Sequence, residues 1–141
     1  VGRAGMTAIC VGILRACCED AEKFAKERIV AGKQISKYQA IQFEIADIRT
    51  DYEAAKALLY TAASIKDEGK PATTAFAVAK YFATEAAVRG AKRCMDAMGG
   101  YGIVNEYAVG RYLRDALASI PSGGTSHIQK LIIAGDTLKN F

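Results

Sequence analysis

From Ile35 the apolar positions run Ile35, Tyr38, Ile41, Ile45, Ile48, Tyr52, Ala55, Leu59, Ala62, Ile65. Steps of three and four alternate for about thirty residues, which is the spacing of one face of an α-helix and not the period of two that a strand requires. A stripe that long cannot be buried by a short element, so the chain must supply other long helices to lie against it. Gly69 and Pro71 end the run, since glycine accepts the conformation that follows a last turn and proline cannot continue one.

The flanking sequence supplies those partners. Met6, Ile9, Ile13, Cys17, Ala21 and Phe24 form an earlier stripe that closes near Gly32. After Pro71, Thr73 or Thr74 is expected to cap a third helix with Ala75, Ala79, Phe82, Ala86 and Arg89 on one side, ending at Gly99-Gly100. Its many alanines imply close approach between helices. A shorter fourth helix is expected from about Asn105 to Ser119, ended by Pro121, and a fifth from Thr125 to Leu138. No segment alternates with period two between turn signals, so no sheet is assigned. The predicted fold is all-α, an antiparallel up-down helical bundle with a four-helix core and a short extra helix.

With 141 residues the chain makes one domain, and 51% apolar against 24% charged residues places it among globular proteins. No apolar run reaches the roughly 18 to 20 residues of a membrane span, so membrane insertion is not expected. The 19 Lys and Arg are interleaved with 15 Asp and Glu, leaving a net charge of +4 and no basic segment of the kind that binds nucleic acid. Cys10, Cys17, Cys18 and Cys94 contain no C-x-x-C pair and have one histidine to join them; buried thiols in a reducing compartment fit better than zinc, and no metal site is assigned.

Loop motifs carry the functional signal. R-I-V-A-G-K-Q-I at 28–35 is followed by Y-Q-A-I at 38–41, D-A-M-G-G-Y-G at 96–102, G-R-Y-L-R-D-A at 110–116 and G-G-T-S-H-I-Q at 123–129. Each is weak alone. Together, in this order, they resemble the C-terminal domain of the flavin-dependent acyl-CoA dehydrogenases over essentially the whole chain. The family's N-terminal helical domain and middle β-domain are absent from residues 1–141, which begin at Val1, so the chain reads as one part of a longer enzyme.

The resemblance implies FAD as cofactor, acyl-CoA or enoyl-CoA as substrate, self-association to a dimer or tetramer, and electron-transferring flavoprotein as redox partner. It also implies a bacterial cytoplasmic or mitochondrial matrix location, the former favoured. Arg28 and Gln39 match positions that reach the flavin dinucleotide of a neighbouring subunit; a planar guanidinium suits pyrophosphate, although Arg28 also reads as a helix-end charge facing water. Asp96, Ala97, Met98, Gly99 and Gly100 match the loop around the adenosine part of that cofactor, or a plain helix cap. Thr125, Ser126 and His127 match the cofactor-contacting start of the last helix. Arg3 matches an arginine beside the acyl-CoA, and Gly123 and Gly124 fall on the substrate rim. Arg114 and Asp115 are expected to form an ion pair within the bundle.

The family removes the α-proton of the thioester with a Glu in Y-E-G-T. Aligned on that motif, Ser122 stands for Tyr and Gly123 for Glu, so the catalytic position carries no carboxylate. The alternative place for the base, just before the arginine matched by Arg3, is Gly2. Some enoyl-CoA reductases resembling this family have a Ser-Gly-Gly run here, as in Ser122-Gly123-Gly124. The resemblance therefore leaves open a dehydrogenase with its base elsewhere, a reductase, or a non-catalytic subunit; a helical interaction bundle is the competing class. Ala31 replaces the family's Phe before Gly32, which implies an altered cofactor or subunit contact.

Overall fold

The computed structural model describes residues 2–139. Five helices account for almost all of it: α1 (Gly2–Glu27), α2 (Gln39–Asp67), α3 (Thr73–Met98), α4 (Val109–Ser119) and α5 (Ser126–Leu138). Cross-helix contacts fix their directions. Arg93 on α3 binds Glu44 and Asp47 on α2, both at 2.9 Å, and Arg89 binds Asp51 at 2.9 Å, so rising numbers on α3 meet falling numbers on α2. Tyr112 near the start of α4 bonds Asp20 near the end of α1 at 3.0 Å. The result is the expected up-down-up-down core, with α5 laid across the first half of α3 through Ser126 to Glu85 and Lys130 over the Tyr81 ring.

The core sits between α1, α2 and α3. Cys10, Leu14 and Cys17 of α1 and Ile48 and Ala55 of α2 are fully buried against a stripe of small residues on α3: Ala79, Ala83, Ala86, Ala87, Gly90, Ala91 and Cys94. Small side chains let the axes close in, and at Gly90 they must. A Cβ there would lie 2.6 Å from Leu14 Cδ2. Arg89 is an exposed partner of Asp51 rather than part of a buried face. All four cysteines are free, three of them buried, and among the described residues no group of three ligand side chains is placed to hold a metal. No helix among them is long and apolar enough to cross a membrane.

Six expectations are corrected. The chain does contain strand: Ile29–Val30 pairs antiparallel with Lys33–Gln34 in a two-residue ribbon, too short to show alternation. Its turn residues Ala31 and Gly32 have φ of 49° and 79°, the twist that a tight hairpin demands, and this ends α1 at Glu27 instead of near Gly32. The long stripe begins not with α2 but with a 3₁₀ turn at Ile35–Lys37, so Ile35 caps the core from outside the helix. Residues 105–108 are turn, and α4 starts at Val109. Arg114 and Asp115 are both exposed and share no ion pair. At α3 the cap is Ala72, with no side-chain bond from either threonine.

Candidate functional site

The motif residues gather at two opposite ends of the bundle. α1 is 26 residues long and joins them, a span of about 39 Å at 1.5 Å per residue.

At the far end of α1, Arg28 leaves the helix and its guanidinium lies 4.8 Å from the centre of the Tyr101 ring. Phe24, Tyr101 and Tyr107 pack as a trio of tilted and edge-on rings with centroids 5.6 to 5.9 Å apart, which fixes the loop after α3 against α1. Between them runs a groove of about 270 Å³ lined by Arg28, Val30, Asp96, Gly99, Gly100 and Tyr101, among others. Arg28 is exposed and has no carboxylate partner among the described residues, so its donors are available. Gly99 turns with φ 59°, and a Cβ on it or on Gly100 would meet nothing within 4 Å, so the backbone there is bare and approachable.

The other members of this group contribute differently. Asp96 is tied back to Lys92 at 2.6 Å, and Ala97 and Met98 are buried, so their side chains support the loop from beneath. Gln39 is exposed at the first turn of α2 but does not line the groove. Ala31 is exposed at the tip of the ribbon.

At the near end, the segment 120–125 between α4 and α5 folds over the start of α1. Gly123 has φ 68°, and a Cβ on it would stand 3.3 Å from Met6 Cγ and 3.5 Å from the Gly2 carbonyl oxygen. The two places to which the resemblance assigns a base are thus neighbours. Gly124, with φ 98°, has no room for a side chain, because a Cβ would fall 2.7 Å from Gln129 Nε2. Thr125 caps α5, its hydroxyl accepting from the Ile128 N–H at 3.4 Å. His127 is exposed on the first turn, while Ser126 is buried and donates to Glu85 at 2.7 Å. Glu85 also lines a cleft with Tyr81, Phe82 and Arg89.

Two supporting residues, Gln129 and Lys80, were not anticipated. Arg3 donates from Nε to Gln129 Oε1 at 2.8 Å, and Gln129 in turn donates to the Gly124 carbonyl at 2.9 Å. Lys80, wholly buried on α3, donates to the carbonyls of Ile120 and Gly124, each at 2.7 Å. Burial pulls its ammonium below the ordinary lysine value, with Cys10 and Glu85 opposing the shift. The available signal was a cation in an otherwise alanine-rich buried stripe, Ala79, Lys80, Ala83, where a solvated lysine has no place.

Residues 1–138 match the family model for the acyl-CoA dehydrogenase C-terminal domain, and the chain belongs to that family. It is 41% identical over 139 residues to the caffeyl-CoA reductase-Etf complex subunit CarC of Acetobacterium woodii, covering 99% of the chain and 37% of that protein. It is 40% identical over 139 residues to a 3-(aryl)acrylate reductase of Clostridium sporogenes, covering 99% and 37%. The butyryl-CoA dehydrogenase structure from Megasphaera elsdenii superposes with a TM-score of 0.94 at 39% identity, over 96% of this chain and 36% of that one. The structure of PigA with FAD and proline gives 0.92 at 30% identity, covering 96% and 35%. The chain spans little more than a third of the length of these relatives.

Proposed function

We propose that the full-length parent is a flavin-dependent oxidoreductase acting on the CH–CH bond of acyl-CoA thioesters, in which this domain supplies part of the FAD site, the rim of the substrate pocket and subunit contacts. The observation that carries the reading is the division of the motif residues into two groups, each suited to its assigned ligand. Arg28 offers unpaired guanidinium donors beside bare glycine backbone, a donor set that fits a dinucleotide pyrophosphate. Gln39, Thr125 and His127, all exposed, are assigned to the same cofactor in one copy or the other. FAD bound there supplies hydride acceptance from, or donation to, the β-carbon of the thioester.

At the rim, Arg3 and Gln129 shape the ground on which the thioester's α-carbon would rest. Neither Gly123 nor Gly2 carries a carboxylate, so this domain holds no group at either post to take the α-proton. A general base is worth about 10²- to 10⁴-fold in rate. That lack favours, as a second reading, the reductive direction, in which an enoyl-CoA is saturated and the α-proton comes from water or another part of the parent. The two reductases among the relatives support it, and the Etf complex named for one of them supports an electron-transferring flavoprotein as partner.

The test is spectroscopic, on the full-length parent. A saturated acyl-CoA that bleaches the oxidised flavin indicates a dehydrogenase; an enoyl-CoA that reoxidises the reduced flavin indicates a reductase. A flavin unaffected by either overturns the reading. Gly2→Glu should raise acyl-CoA oxidation, since a Cβ at Gly2 meets nothing within 4 Å. Gly123→Glu should gain less, because φ of 68° strains any L side chain and Met6 crowds it. Equal gains would contradict the geometry.

A further inference from the structure

Lys80 and Gln129 are among the largest fully buried side chains of the domain, and both are polar. Burying an ammonium is costly unless its protons find acceptors, so the position must return something a leucine or methionine would not. Both of its bonds go to one short segment. Ile120, whose carbonyl it takes at 2.7 Å, closes α4; Gly124, taken at the same 2.7 Å, immediately precedes the cap of α5.

Gln129 makes the second hold on the same oxygen, at 2.9 Å, and reaches the Gly123 carbonyl at 3.4 Å. Its own amide oxygen is occupied by Arg3, so its orientation is fixed from α1. The Gly124 carbonyl is therefore held inward by donors from two helices. A peptide unit is planar and trans, so the Thr125 N–H must face the opposite side. The dihedral freedom of two adjacent glycines is removed by contacts from behind, not by side chains of their own.

We propose that Lys80, seconded by Gln129, is a positioning residue for the oxidoreduction assigned above: by fixing the carbonyls of Ile120 and Gly124 it sets where the Gly123 rim stands against the α-carbon of the thioester. This rests on the proposed function. Neither side chain touches reacting atoms, since both lie wholly behind the loop.

The experiment uses the full-length parent with Lys80→Met, Gln129→Met and the double variant. It reads flavin content, kcat and KM with whichever thioester changes the wild-type flavin spectrum, and amide hydrogen exchange over residues 120–126. The expected result is flavin content and KM within about twofold of wild type and kcat lower by about 10- to 100-fold, the range for small misplacements of a reactant. Exchange over 120–126 rises about tenfold or more while the middles of α1 and α3 are unchanged. Because both residues hold the Gly124 carbonyl, the double variant loses less than the sum of the two single losses.

Unchanged exchange, raised exchange with intact kcat, or additive losses would each overturn the proposal. Gln129→Met leaves the ammonium in place and carries the same expectation should Lys80→Met fail to fold. A wild-type flavin that responds to no thioester overturns the functional reading itself, a result distinct from any seen in the variants.

Discussion

Tyr112 shows how much one hydroxyl ties together. It donates to Asp20 at 3.0 Å across α4 and α1, and burial, followed by that carboxylate, pushes its phenol up to about 12. An unfolded phenol ionises near 10, so the native state keeps a proton that the unfolded chain gives up. The contribution is complete below about pH 10 and is lost as pH rises toward 12. Melting temperature measured from pH 8 to 12 should fall through that window, and Tyr112→Phe should flatten the fall while losing about 1 kcal/mol at neutral pH. Parallel alkaline limbs would show that the bond is not made. Residues of this kind divide by how the sequence announces them. The start of the last helix near Thr125 was legible from the apolar run behind it, whereas the threonine's capping bond was not read, and the cap expected at Thr73 or Thr74 is not made. Lys80 was not legible, since its partners are backbone carbonyls 40 and 44 residues away and no local pattern records them.

Among the elements, α3 decides the packing. Its small residues admit α1 on one side and α2 on another, and Leu14 fills the hollow over Gly90. Gly90→Leu should cost about 1–3 kcal/mol, the range for overpacking, and more than the helix-propensity gain of about 1 kcal/mol can offset. Urea unfolding reads this directly; a variant as stable as wild type would mean the helices separate more easily than their contact suggests. The helices themselves were readable from periodicity, yet their ends were not. Val109 and Gln39 open their helices later than the stripes suggest, because apolar residues such as Ile35 and Tyr107 join the core from turns and keep the spacing without the helix. The ribbon at 29–34 escaped for the opposite reason: all four of its paired residues are exposed, so burial left no pattern to find.

For the molecule as a whole, the separation of the two residue groups is the governing fact. Under the proposed function, groups at opposite ends of α1 serve one cofactor from two different copies of the chain. In the parent, Arg28→Ala and Gly124→Leu should each abolish flavin-linked turnover when made alone. Co-refolding the two variants should restore part of it, because a mixed pair contains one site free of both changes. Absence of complementation, with mixed oligomers demonstrated, would mean that both groups complete a site from the same copy of the chain. The order of motifs along the sequence revealed that such groups exist, but their placement at two ends depended on helix direction, which only the long-range contacts supply. The openness around Gly2 has a further, historical consequence. Within this domain, a Cβ on that glycine meets nothing within 4 Å, whereas at Gly123 the neighbouring Met6 has to yield first. Under the proposed function, a lineage moving between proton-abstracting and carboxylate-free forms of this domain meets the smaller steric barrier of these two positions in the first turn of α1.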